Sequence, residues 1–199
     1  MLLIGFGRFG QIVSHMLLAE GIEVTAIDND IEMIEAAERF GFKVYFGDGQ
    51  RLDVLRASGA EKSTLICVCV DKREVANKIV EVAREAFPLT RLYVRAFDRG
   101  HVLELVERGI DFHMRETYES AIAFGRASLE ALERTPDRIT ELEEDFRKLD
   151  GDRLTLQQQG GLDAGKDRLH TRPAPKPQPL VVPRRKSVAL HETTTEDEP

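Results

Sequence analysis

The sequence predicts an α/β fold, a doubly wound parallel sheet of about six strands, and three observations carry that expectation. Short runs rich in Val, Ile, Leu and Phe alternate with longer runs whose apolar residues recur at helical spacing. A glycine-rich turn, Gly5-Phe6-Gly7-Arg8-Phe9-Gly10, closes the first short run and opens the first helical one. The 199 residues, 42% hydrophobic and 32% charged, suit one ordinary domain with further segments attached.

Taken in chain order, the strands are expected at Leu2–Gly5, Glu23–Asp28, Lys43–Gly47, Leu65–Val70, Leu92–Ala96 and Ile110–Met114. Between them, helices are expected at Phe9–Ala19, Asp30–Phe40, Gln50–Ala57, Arg73–Ala86 and His101–Arg108. These alternations complete an α/β domain over residues 1–115. A helical, dimerising or peripheral segment follows over 116–150. Its first helix, Glu116–Leu132, carries Tyr118, Ile122, Leu129 and Leu132 near one stripe, which packs either on its own domain or on a second subunit. A second helix from Pro136 to about Leu149 is highly charged, and Asp137, Glu141, Arg138 and Lys148 read as a solvated face. Residues 151–199 turn to Gln, Gly and Pro and then to an acidic end, too poor in large apolar groups to offset ordering entropy, and are expected to be a disordered tail. Within it Arg184-Arg185-Lys186 reads as a solvated run, with contact to anionic lipid as the alternative.

A formal net charge of −7 argues against nucleic acid as a partner, because a phosphate-tracking surface needs concentrated Lys and Arg. Cys67 and Cys69 stand two apart in an apolar run, so on a strand they share a face and do not easily bridge. They read as reduced core residues, which fits a cytosolic compartment. No apolar run reaches the ~18 residues of a membrane span, and no secretory leader is recognisable. The first strand begins almost at Met1, so further residues upstream are expected in the native protein.

The glycine turn has the strand-then-helix context of the Rossmann dinucleotide fingerprint. Gly5 permits the tight turn, Gly7 lets backbone approach a phosphate, and Gly10 lets helix pack on strand, so that free helix N–H groups can meet an anion. Asp28 closes the second strand, where a carboxylate accepts hydrogen bonds from both ribose hydroxyls and repels a 2′-phosphate. AMP, NAD(H) or a related adenine nucleotide is therefore favoured over NADP. Asn29 joins the candidates beside Asp28, and Asp30 is the weaker ribose partner. Asp48 lies at the same sheet edge and faces the adenine end or caps the next helix. Arg8 pairs with a diphosphate or is plain surface charge; Phe9, inside the same turn, completes the set.

Catalytic pairs are missing. Tyr45, Tyr93 and Tyr118 are followed four residues on by Gly49, Phe97 and Ile122, so no Tyr-x-x-x-Lys pair exists. His15 and His101 fall in helices, His170 and His191 in the tail, and His113 on the sixth strand, none with an evident orienting carboxylate. A bound nucleotide is thus expected to be a ligand rather than a reagent, and the chain a sensor rather than an enzyme.

At these residues the chain resembles the RCK domain, also called KTN or TrkA-N, over about residues 1–150. It is most similar to the bacterial Kef glutathione-gated potassium efflux systems in Gly5-Phe6-Gly7-Arg8-Phe9-Gly10-Gln11-Ile12, Phe40-Gly41-Phe42-Lys43-Val44, Tyr45-Phe46-Gly47-Asp48 and Arg115-Glu116-Thr117. The resemblance implies an adenine nucleotide in the cleft, a homodimer formed through the helix after the sixth strand, and a membrane potassium/proton antiporter domain, upstream in the same chain or on a partner. That places the module on the cytoplasmic face of the bacterial inner membrane. It also implies glutathione regulation through a pocket between subunits in which Arg115 matches the peptide-pairing arginine and Phe40 the adduct-sensing aromatic. His15 stands where the family has an arginine, and Asp150 where it has an asparagine. Each change should weaken binding of an anionic peptide. Two other readings stay open: a free-standing nucleotide-binding subunit of a potassium uptake system, and an NAD-dependent oxidoreductase.

Overall fold

The computed structural model describes residues 1–39 and 41–166. Six strands form one sheet: β1 (Leu2–Ile4), β2 (Thr25–Asp28), β3 (Val44–Phe46), β4 (Leu65–Val68), β5 (Arg91–Ala96) and β6 (Phe112–Arg115). Their order across the sheet is β3-β2-β1-β4-β5-β6, every pair parallel. This is the doubly wound order that the alternating pattern predicts, with its reversal between β1 and β4. The helices are α1 (Arg8–Ala19), α2 (Ile31–Arg39), α3 (Leu52–Ala57), α4 (Arg73–Ala86), α5 (Arg99–Glu107), α6 (Tyr118–Ala131) and α7 (Pro136–Gly160), with a short 3-10 turn at Ala60–Lys62.

The period-2 alternation of strands divides the core in two. Leu2 and Ile4 point to the face covered by α3, α4 and α5, where Leu55, Ile66, Val68, Ile79, Val80, Leu92, Val102 and Leu105 are buried. Leu3 points to the opposite face with Phe6, Ala26, Ala37 and Val44. Cys67 and Cys69 lie on that second face, both buried and both free thiols. Burial pushes the Cys67 thiol up to about 11 and the Cys69 thiol higher still, which keeps both protonated and inert.

One expectation about the C-terminal third needs revision. The second helix does not stop near Leu149: α7 continues to Gly160, so residues 151–160, expected in a disordered tail, are helical. Composition understates this stretch because its anchoring groups are few and specific. Leu154 packs on the main core, and Gln157, 2% exposed, donates from Nε2 to the Leu162 carbonyl at 2.5 Å and accepts from Arg99 at 3.3 Å. Thr135 caps the start, its hydroxyl accepting from Arg138 N–H, with Pro136 in the first turn, where its missing donor costs nothing. The tail assignment for 167–199 falls outside the described residues. The stripe on α6 also has a partner inside the chain, since Tyr118, Ile122 and Leu129 border an apolar groove with Ile139, Leu142 and Phe146 of α7. Phe124 and Leu132 stay exposed, at 77% and 67%.

Candidate nucleotide-binding cleft

The cleft forms where the strand order reverses. There the connections leaving β1 and β4 go to opposite faces and leave a gap above the strand ends. Its volume is about 500 Å³. The turn after β1 contributes Gly5, Gly7 and Arg8; the end of β2 contributes Asp28, Asn29 and Asp30; Gly47, Asp48 and Gly49 follow β3; Cys69 to Lys72 follow β4; and Arg95 comes from β5.

The glycines hold the turn for distinct reasons. Gly5 has φ +94°, and a Cβ there would stand 2.8 Å from Val70 N. Gly10 opens the α1 packing: a Cβ would lie 2.1 Å from the Gly5 carbonyl oxygen. Gly7 is different, with ordinary extended backbone and nothing within 4 Å of an added Cβ, so its side is open to the cleft. No side chain caps α1 and no acidic residue occupies its first turn, so its N-terminal N–H groups are available to an anion.

Asp28 is fixed from two sides. Its Oδ2 accepts from Phe6 N–H at 2.6 Å and its Oδ1 from Asp30 N–H at 2.9 Å, which ties the end of β2 to the glycine turn. Each carboxylate oxygen keeps a lone pair, so the group can still accept from a ribose. Asp30 is committed elsewhere: its Oδ1 accepts from Glu32 and Met33 N–H at the start of α2, a capping role. Asp48 accepts through Oδ1 from the backbone N–H of Gln50 at 3.0 Å and from Gln50 Nε2 at 3.2 Å, which organises the turn before α3 without capping that helix, whose cap is Arg51. Arg8 is exposed at the cleft rim and has no hydrogen bond among the described residues. Phe9 and Gly10 shape the cleft from behind, outside its lining. Phe9 packs on the second core face, and Gln11 pins the turn by donating from Nε2 to the Phe6 carbonyl at 3.2 Å.

Sequence reasoning missed Arg95. It is 8% exposed, its guanidinium lies 5.5 Å from the Phe9 ring centroid, and Nη1 donates to the Cys69 carbonyl at 3.1 Å. Nη2 meets Glu116 Oε1 at 2.5 Å. The available signal was a cation inside the apolar run Leu92-Tyr93-Val94-Arg95-Ala96, a position where burial demands a partner.

Of the four residues expected at an intersubunit glutathione pocket, the single chain brings Arg115 and Asp150 together. Arg115, at the end of β6, donates to both carboxylate oxygens of Asp150 on α7 and lies 3.8 Å from the centroid of Tyr118. Arg99 donates to the same carboxylate, so one anion holds two cations. Burial lowers the Arg99 pKa, and Asp150 opposes that shift. His15 sits on the exposed side of α1, edge-on to Phe42 at 6.2 Å, with no hydrogen bond to Arg115 or Asp150. Phe40 lies outside the described residues.

Comparison with known proteins agrees with this architecture. Residues 1–115 match the family described as the TrkA-N domain. A glutathione-regulated potassium-efflux system protein of Haemophilus influenzae is 39% identical over 98% of this chain, which spans 31% of that relative's length. Among solved structures, the AMP-bound C-terminal domain of Kef from Shewanella denitrificans superposes with a TM-score of 0.72 at 30% identity, covering 79% of this chain and 96% of that one. A GsuK channel bound to NAD, at 22% identity and TM-score 0.57 over 63% of this chain and 22% of the channel, shares the fold alone.

Proposed function

The chain belongs to the TrkA-N domain family, and from that premise we propose that it is a nucleotide-sensing regulatory domain of a potassium efflux system. The observation that carries this reading is the Asp28 carboxylate, held at the switch-point cleft by Phe6 and Asp30 N–H with lone pairs left for a ribose. Opposite it stand the open side of Gly7, the uncapped start of α1 and the free guanidinium of Arg8, together a place for a phosphate. An adenine nucleotide without a 2′-phosphate, AMP or NAD(H), fits both ends. The AMP in the Shewanella Kef domain supports the choice.

In this reading the nucleotide is a ligand and no bond is made or broken. The cleft thiol, Cys69, is buried and protonated, and Asp30 and Asp48 are occupied in organising turns. The domain acts on a membrane potassium/proton antiporter domain from the cytoplasmic side, as a homodimer using the exposed apolar residues of α6. No helix among the described residues is long and apolar enough to cross a membrane itself. Glutathione is the finer part of the proposal. Arg115 is the cation for it, but Asp150 already occupies that guanidinium, so an anionic tripeptide has to displace a carboxylate and binds weakly.

Calorimetric titration of the purified chain with AMP, NADH, NADPH and glutathione tests the reading. AMP or NADH should bind and NADPH should bind more weakly; absence of binding by both AMP and NADH overturns it.

A further inference from the structure

Arg95 reaches the cleft from β5, on the far side of the β1–β4 reversal from Asp28, and its guanidinium lies 5.5 Å from the ring of Phe9 in the glycine turn where the phosphate is placed. Its side chain is 7% exposed, yet it lines the cleft. A buried guanidinium is costly unless its five donors are met. Here Nη1 meets one carbonyl, Nη2 one carboxylate, and Nε has no partner among the described residues. The cation is therefore held in place but incompletely satisfied. Its one countercharge among the described residues, Glu116, belongs to the connection between β6 and α6 and is tied to the sheet by its own N–H to the Ala96 carbonyl at 2.9 Å. The side chain of Glu116 is 24% exposed, so it can leave Arg95 for water, whereas Arg95 cannot leave the cleft as cheaply.

We propose that the phosphate of a bound nucleotide and the Glu116 carboxylate compete for the Arg95 guanidinium, so that filling the cleft loosens the entry to α6. This rests on the nucleotide reading given above and deepens it by naming the residue through which the cleft is coupled to α6. The chemistry that selects the ligand is an anionic phosphate near a planar fork donor; a nucleoside lacking phosphate has nothing to offer Arg95. Competition for one cation makes the coupling negative and reciprocal: whatever holds Glu116 on Arg95 weakens phosphate binding, and phosphate binding frees Glu116.

The test compares AMP with adenosine on four forms of the purified chain: unaltered, Glu116→Gln, Arg95→Lys, and the double variant. Removing the competitor in Glu116→Gln should raise AMP affinity about fivefold and leave adenosine unchanged. Arg95→Lys keeps the charge but loses the fork, so it should weaken AMP about tenfold against an unchanged adenosine affinity. In the double variant the gain from Glu116→Gln should shrink to near nothing. Glu116→Gln is isosteric at a partly exposed site, so it keeps the test intact if Arg95→Lys folds poorly. An unchanged AMP affinity in Glu116→Gln, an equal change for adenosine, or a gain that persists in the double variant overturns the proposal. If the unaltered chain binds neither AMP nor adenosine, the nucleotide reading falls and this inference with it, an outcome distinct from binding that ignores Glu116.

Discussion

Asp28 and Phe6 are joined by a 2.6 Å hydrogen bond from the Phe6 backbone N–H to Asp28 Oδ2. The bond links the two chain segments that must be placed relative to each other for one molecule to touch both, the ribose end of the cleft and the phosphate turn. It also means that Asp28 has a structural role besides the proposed binding one, and the two can be separated. Asp28→Asn can keep its oxygen for the Phe6 N–H but turns its amide toward the exposed Asp30 N–H, losing charge and ribose acceptor capacity. It should cost about tenfold in AMP affinity and about 0.5–1 kcal/mol of unfolding free energy. Asp28→Ala leaves a buried N–H unpaired and should add about 1–2 kcal/mol of destabilisation to a larger loss of affinity. Calorimetry and urea denaturation of both variants measure the split.

The glycines of the turn predict opposite behaviour from similar substitutions. Gly10→Ala puts a methyl 2.1 Å from the Gly5 carbonyl oxygen and should destabilise the protein by about 3 kcal/mol. Gly7→Ala meets nothing within 4 Å and should fold as well as the unaltered chain, yet lose nucleotide binding as the methyl enters the space meant for phosphate. Thermal unfolding with and without AMP distinguishes the two, because only Gly7→Ala should keep its melting temperature while losing the AMP-induced rise.

Asp150 is the sole carboxylate that the described residues place on both Arg99 and Arg115. Asp150→Asn should therefore destabilise the protein by about 2 kcal/mol, since two largely buried cations lose their counterion. The same change frees Arg115 and should strengthen glutathione binding, measurable by calorimetry. A variant that loses stability without gaining glutathione affinity would take Arg115 out of the proposed pocket.

His101 sets a pH dependence. The ring is 1% exposed; Nδ1 accepts from Phe97 N–H at 3.0 Å, and Nε2 therefore carries the proton that faces Asn77 Oδ1 at 3.1 Å. Burial, helped by Arg73, lowers its pKa from 6.5, while Glu104 and Asp98 pull the other way and Arg108 adds to the lowering. A lowered folded-state value means that the unfolded chain takes up the proton first. The contribution of neutral His101 to stability is then full above about pH 6.5 and is lost as pH falls below it. Melting temperature should drop between pH 7.5 and 5.5, and imidazole resonances of His101 should stay neutral below pH 6.5. His101→Asn should flatten that slope.

Much of this was legible in the sequence, and the parts that were not share a cause. Strand number, direction and the glycine turn could be read because each rests on local pattern: β-branched runs, helical periodicity, a turn between the two. Asp28 could be read from its place at a strand end. Arg95 could not, since its partners Cys69 and Glu116 lie on other strand ends and become neighbours only in the folded sheet. The length of α7 escaped for the same reason. Residues 151–160 look like tail by composition and become helix because Gln157 meets Arg99 across the fold. Resemblance suggested Arg115 and Asp150 as positions of one pocket, and no local signal indicated that they bond to each other or that Arg99 joins them.

The sheet is two three-stranded halves sewn together along β1 and β4, a seam in which only Leu2, Leu3 and Ile4 are paired with Ile66, Cys67 and Val68. Cys69 N–H adds one further stitch to the Ile4 carbonyl at 2.7 Å. A molecule resting against Asp28 on one half and Val70 or Arg95 on the other lies across that seam like a clasp. Its presence would be felt as slower hydrogen exchange at Leu3 and Cys67, seam residues outside the cleft lining.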